Sequence, residues 1–416
     1  MNPAPQREDL TDILGDVCTQ SPYAYFDQLR AHEPVHWNAR HRAWLITSHA
    51  AVSEGLRDPR LLSNRMKKLR ESLAPDKQAT VGRTLRLLED WMVFQDNPDH
   101  RRVRSVVQKT FTPATVLRLE PDIRALAREQ VALLRQRLEA EPDKPIDVLN
   151  EIAYEIPGPV ICKMLGVPAE DRYQFIEWTE EVSSVIGGFA DDPERYEKTH
   201  AAVSSLEDYL TRIITEGRVG ESNLMAQLVA AEADGERLTR SEVIATGILL
   251  LFAGNRTTSC MIANGTRALA LHPDQLERLR ADPTLINAAV EEILRWESHT
   301  KATVRIVGED FEWHGQRLRA GERVFLSPLA ANRDPSVFDE PVRFDIRRPN
   351  VNRHIAFGTG VHLCLGMALA RLELRTFLSE MLDTLPHLRL VDPGSRWLPS
   401  IVSRVQRELW VTAKSP

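Results

Sequence analysis

A chain of 416 residues has ample length for a large core, and length alone would allow two or three domains. Its 53 Lys and Arg against 59 Asp and Glu give a formal charge of −6, which argues against bulk nucleic-acid binding. The polar start MNPAPQREDL has no apolar stretch of the kind a secretory signal needs, and Cys18, Cys162, Cys260 and Cys364 lie far apart with no CxxC. That spacing is neither a disulfide framework nor a zinc pattern, so the expectation is a soluble protein of a reducing cytoplasm.

In chain order, AWLIT (Ala43–Thr47), following PVHW, reads as a strand. Ile123 to Leu138, after Pro121, and Glu207 to Ile214 carry apolar residues at helical spacing. Thr239 to Leu271 predicts one unusually long helix, opened by a Thr239/Glu242 capping box and closed before Pro273. Its most apolar part, Val243–Gly254, is twelve residues long, short of the ~20 that span a bilayer, so a buried core helix is expected rather than a membrane anchor. Gly254 sits in that stretch, where a glycine marks either a group lying close to the backbone or a tightly packed neighbouring helix. From Thr303 to Leu326, TVRIV, FEWHG, QRLRAGE and RVFL predict hairpins turning at Gly315 and Gly321, and the tail IVSRVQRELWVT reads as a strand pair. No repeat and no Gly/Ser-rich linker divides the chain. A mainly helical protein with small β-sheets, one continuous domain over residues 1–416, is the expected class.

The chemistry concentrates in FGTGVHLCLG, Phe357–Gly366. Gly358 and Gly360 permit a tight loop, and Leu365, Ala368, Leu369 and Leu372 set a helix beginning at or just after Cys364. A thiol at a helix N-terminus is biased toward thiolate, which leaves three readings: a nucleophile, a redox sensor or a metal-binding thiolate.

FGTGVHLCLG resembles the haem-binding signature of the cytochromes P450, F-G-x-G-x-H/R-x-C-x-G. EILR (Glu292–Arg295) is similar to the family's ExxR, and ANRDPSVFDEPVRFD to its meander, in which Arg343 would complete a Glu292–Arg295–Arg343 charge cluster. PVHWNARHRAWLITS resembles the first sheet, DNPDHRRVR the start of the C helix, and SIVSRVQ a substrate-facing turn of the camphor-hydroxylating bacterial member. The resemblance covers nearly the whole chain. It implies the P450 fold, with the long helix crossing over a haem b (iron protoporphyrin IX). Cys364 would be the iron ligand, in a loop framed by Phe357, Gly358 and Gly366, with His100, Arg104, Arg305 and His362 facing the propionates. Gly254 would leave room for dioxygen beside Ala253, and Thr257 would support proton delivery. The pocket would be formed by Trp91, Val93, Phe94, Ile186, Phe189, Leu249, Phe252, His299, Thr300, Lys301, Ile401 and Val402. The implied activity is a class I monooxygenase acting on a small, largely apolar metabolite. The enzyme would be a monomer fed from NAD(P)H through a reductase and a ferredoxin, which would dock on Arg347, Arg348, Arg353 and Arg371.

The sequence departs from the family in AGNRTT (Ala253–Thr258), where Arg256 occupies the usual acidic position. An arginine does not relay protons in the ordinary way. Arg256 would therefore pair with a nearby acid, or bind an anionic substrate group, or mark a reaction with less proton demand, such as oxidative coupling, desaturation or peroxide-driven oxidation. A non-catalytic haem-binding sensor and a non-haem cysteine enzyme are the remaining alternatives.

Overall fold

A computed structural model describes residues 12–109, 111–187, 194–218, 223–233, 238–394 and 396–413. Contacts divide the chain into two compact units, neither of them a continuous segment. The first takes the chain up to Leu61, then Leu117–Ile156, then everything from Thr257; the second takes Leu62–Val116 and Pro157–Arg256.

The first unit holds the principal sheet. Strands β1 (Val35–Asn38) and β2 (Ala43–Ile46) form an antiparallel hairpin. The strand β2 then pairs in parallel with β4 (Arg323–Leu326), which is antiparallel to β3 (Thr303–Val307). These are Val-, Ile-, Phe- and Trp-rich runs, as a pleated surface buried on a core requires. Phe311–Trp313 and Gln316–Leu318 make a separate hairpin that turns through His314 and Gly315, the latter at φ +76°. The C-terminal tail does contain two strands, but they do not pair with each other. Gln406–Glu408 pairs with Arg396–Trp397, while Trp410–Ala413 sits between Ile146–Asp147 and Leu388–Leu390. Trp410–Ala413 finds one partner, Ile146–Asp147, far away in sequence, which local alternation cannot reveal.

The helical core of this unit gathers Glu120–Ala140, Ile286–Trp296, Met367–Met381 and the later half of the long helix around Leu134, Ile262, Leu269, Ile293, Leu374 and Phe377. Gly265 of the long helix permits that packing: a Cβ there would stand 3.2 Å from Leu374 and 3.3 Å from Leu378.

The second unit is helical, built from Pro75–Glu89, Asp99–Val107, Pro157–Leu165, Arg172–Ile186, Arg195–Thr215, Leu224–Ala233 and the earlier half of the long helix. The long helix runs Arg240–Leu271, and its capping box forms as the sequence predicts. The Thr239 N–H donates to Glu242 at 2.8 Å and the Glu242 N–H to the Thr239 hydroxyl at 3.2 Å. It is the one described helix long and apolar enough to cross a membrane, and 72% of its apolar window is buried inside the protein.

Candidate haem-thiolate site

In the first unit the cysteine loop is fixed by backbone geometry. Gly358 and Gly360 adopt φ of +72° and +75°, and the Cys364 N–H donates to the Phe357 carbonyl at 3.0 Å. Gly360 is required by close approach, since a Cβ there would meet the Leu56 carbonyl oxygen at 2.9 Å. Gly358 and Gly366 instead face open space within 4 Å. Gly366 caps the helix Met367–Met381, so Cys364 lies just before a helix N-terminus, where the backbone dipole favours thiolate. Cys364 is exposed, whereas Cys18, Cys162 and Cys260 are buried. Among the described residues no three His, Cys, Asp or Glu side chains gather as a metal site. A single accessible thiol beside open glycine faces suits a flat group that brings its own further ligands, which is what a haem does.

The same unit holds a buried charge cluster. Glu292 and Arg295, both wholly buried on Ile286–Trp296, share two 2.7 Å hydrogen bonds. The third member is Arg348 and not Arg343. The Arg348 Nε reaches both Glu292 oxygens at 3.3 and 3.2 Å, whereas the exposed Arg343 side chain pairs with Glu340 at 2.9 Å. Arg343 contributes its carbonyl, which accepts from Arg295 at 3.1 Å and Arg348 at 2.8 Å. The sequence shows two arginines five residues apart, and only burial selects between them. Arg348 is thereby withdrawn from the surface proposed for a redox partner, while Arg347 and Arg353 remain exposed. Arg371 forms a bidentate pair with Glu291 at 2.7 and 2.8 Å and lies 4.7 Å over the Phe357 ring. Burial pushes the Glu291 carboxyl up, but hydrogen bonds from His354 and Arg371 outweigh it and hold the group at about 2.

Elsewhere in this unit Arg305 is buried, its guanidinium donating to the Val304 carbonyl at 3.2 Å, and His362 and Thr257 are half-buried. His299 and Thr300 are half-buried in a stretch bridged to the tail through Thr300 and Ser403. Ile401 and Val402 lie beside them, half-buried. Lys301 is not a pocket residue: with 2% of its surface accessible it points inward, its Nζ donating to the Ile13 carbonyl at 2.8 Å. One group was missed by sequence reasoning. Glu373, 1% exposed on Met367–Met381, is hydrogen-bonded by Thr258, and burial pushes its carboxyl up to about 8 despite that bond. Its position on the inward face of an amphipathic helix was a usable signal.

In the second unit His100 (2% exposed) and Arg104 (half-buried) lie on one face of Asp99–Val107, one turn apart. Trp91 stacks on Phe94 at 6.0 Å and tilts against Phe252 at 5.2 Å. Trp91 has no accessible surface and Leu249 only 3%, so both back a wall rather than form it. Phe252 is half-buried, Ala253 and Val93 are exposed, and Ile186 is buried. Phe189 lies outside the described residues. Gly254 is explained by packing and not by room for dioxygen, because a Cβ there would meet Ile161 Cγ1 at 2.9 Å. Arg256 is ion-paired with Glu180 of Arg172–Ile186, with 21% and 37% of the two side chains exposed.

A sequence model described as "Cytochrome P450" matches residues 55–388, a span that includes segments of both units. The chain is 38% identical over 384 residues to vitamin D(3) 25-hydroxylase of Pseudonocardia autotrophica, covering 91% of this chain and 90% of that one. It is 37% identical over 399 residues to cytochrome P450 monooxygenase PikC of Streptomyces venezuelae, covering 94% and 91%. Among solved structures, that of CalO2 superposes with a TM-score of 0.86 at 31% identity, over 97% of this chain and 98% of that one.

Proposed function

The chain belongs to the cytochrome P450 family and is a P450 monooxygenase of bacterial type, and from that footing we propose that it hydroxylates a largely apolar small metabolite using electrons from a ferredoxin. The observation that carries this reading is the exposed Cys364 thiol in its glycine-framed loop, in the same unit as the buried Glu292–Arg295–Arg348 cluster. Cys364 would ligate the haem iron, and Arg305 and His362 of the same unit would receive propionates, whose anionic charge suits cations and N–H donors. When bound, haem with an axial thiolate supplies the redox chemistry, the thiolate pushing electron density onto iron and favouring O–O cleavage.

The balance is RH + O2 + 2 H⁺ + 2 e⁻ → ROH + H2O, with NAD(P)H, through a reductase and an iron–sulfur protein, as the source of electrons. The protein's part is to orient substrate, exclude water and manage protons. The half-buried Thr257 hydroxyl is suited to hold or pass a proton, and Glu373 is a second protonatable group of the same unit, tied to the adjacent Thr258. The usual acidic position is held by Arg256, a donor-only side chain. Its pairing with Glu180 favours the reading in which it turns to a neighbouring acid, over one in which it awaits an anionic substrate. An apolar substrate agrees with Ile401 and Val402, and with the vitamin D(3) named for one relative. The exposed Arg347 and Arg353 would meet an acidic ferredoxin.

Reconstitution with a surrogate reductase and ferredoxin tests this reading. NADH-dependent and substrate-dependent hydroxylated product is expected. Reduced protein without a thiolate-type Soret band under CO, or loss of turnover that no donor system restores, would reject it.

A further inference from the structure

The substrate-facing role given to Ile401 and Val402 raises the question of what holds them in place. Their turn is not part of a long strand. It is secured on one side by backbone bonds to residues 299–302: the Lys301 and Ala302 N–H groups donate to the Val402 carbonyl at 2.9 and 3.3 Å, and the Arg404 N–H donates to the His299 carbonyl at 2.7 Å. Among the described residues, Arg404 and Lys301 of that two-stranded piece reach the N-terminal segment.

Arg404 is 5% exposed, and its guanidinium reaches the Thr19 carbonyl and, at 3.4 Å, the Gln20 carbonyl. These are C-terminal acceptors of the short helix Asp16–Gln20, which have no partner further along that helix. The same guanidinium donates to Glu297 at 3.2 Å and lies 3.4 Å over the Trp397 ring. Glu297, 3% exposed, is held in turn by the Tyr23 hydroxyl at 2.6 Å. Gln20 makes a reciprocal pair with the Trp397 backbone, its Nε2 donating to the carbonyl and its Oε1 accepting from the N–H, each at 3.3 Å. Lys301 adds its bond to the Ile13 carbonyl, and Ile401 and Val402 themselves pack against the cluster that contains Ile13, Cys18 and Tyr25. Arg404, Lys301 and Gln20 thus bind one short N-terminal stretch to one turn.

We propose that the segment Ile13–Gln20, acting through Arg404 and Lys301, sets the position of the 401–402 turn and so helps determine which substrates are accepted and where they are oxidised. The proposal rests on the reading of that turn as substrate-facing. Arg404 is a positioning residue in this scheme: it lies on the buried side of the turn and acts through the carbonyls it grips. Two of its three anchors are main-chain oxygens, so the N-terminal segment can vary in side chain while the grip is kept. Arginine suits the position because its planar fork serves several acceptors at once, which an ammonium on a flexible stem does not.

The test compares wild type with R404K, with the paired change R404Q/E297Q, which removes both members of the Arg404–Glu297 pair together, and with K301M. Hydrogen exchange of the Lys301, Ala302 and Arg404 amides reads the clamp without any need for turnover, and faster exchange is expected in all three variants. With CO difference spectra and haem content held at wild-type values, KM for an accepted substrate should rise about tenfold while kcat changes less than about threefold, the signature of altered substrate placement. The ratio of oxidised products should shift as well. Unchanged exchange, or unchanged KM and product ratio in folded, haem-loaded variants, would overturn the proposal. So would a parallel loss of kcat and haem, which marks a purely structural role. A wild type that oxidises no substrate would instead reject the proposed function, and the exchange data would still decide whether the clamp exists.

Discussion

Around Glu292 two buried arginines share one carboxylate, whereas Arg256 forms a partly exposed ion pair with Glu180. The Glu292 carboxylate is shared by Arg295 and Arg348, which also donate to the carbonyls of Asn332, Asp339, Glu340, Pro341 and Arg343. The stretch 332–348 has little regular secondary structure after residue 332, and these two side chains supply the partners that a helix or sheet would otherwise give. At Arg256 the partner is one carboxylate on a neighbouring helix, with solvent at hand. The difference is one of cost. A change in the first region strands buried charge, while a change in the second is inexpensive.

The comparison can be broken most decisively at the thiol. C364S should abolish the thiolate-type CO band and monooxygenase turnover while leaving the unfolding midpoint nearly unchanged, because Cys364 is exposed. A large fall in stability would mean that the loop depends on the thiol. Next in size, E292A should cost about 3–5 kcal/mol by leaving two buried guanidinium groups without their shared carboxylate, read by urea unfolding. R343A should cost under about 0.5 kcal/mol, as expected for a surface side chain.

Half-buried Glu291 and buried Glu373 should give opposite pH slopes. Glu291, held at about 2, contributes stability that is present above its unfolded value of 4.5 and is lost as pH falls toward 2. Glu373, raised to about 8, contributes stability that is full below 4.5 and is lost as pH rises through 8. Stability curves of E291Q and E373Q against pH should each lose one slope, and a wild-type curve unaltered by either change would refute the assignment. A further small effect belongs to the Arg256–Glu180 pair. R256E should lower stability by about 1 kcal/mol or less through its like charge at Glu180, and R256E/E180R should restore it. Product formed per NADH in the same variants shows whether Arg256 shapes the chemistry, and unchanged coupling and products would confine it to a structural part.

The cysteine loop was legible in the sequence because its constraints are local: positive φ at two glycines, a thiol, and a helix that starts at a fixed offset. The long helix was legible for the same reason, through periodicity and a capping box. What was not legible depended on partners distant in the chain. Arg348 and Arg343 differ only in which one is buried. Lys301 looked like a pocket cation until its bond to Ile13 placed it inside the core. Gly254 left two explanations open, and Ile161 decides between them. The tail strands could not reveal that they belong to different sheets, since pairing is a property of the folded chain.

The parallel pairing of Ala43–Ile46 with Arg323–Leu326 has a consequence on the ribosome. The two strands stand 280 residues apart in register. At ~5–20 residues synthesised per second, the first waits roughly 15–60 s for the second to be made. During that interval Trp44, Leu45 and Ile46 have only the hairpin partner Val35–Asn38 beside them, and one edge of the strand stays open. The nascent chain therefore carries an unfinished β-edge for most of its synthesis, and shielding of that edge becomes a condition for the yield of folded enzyme.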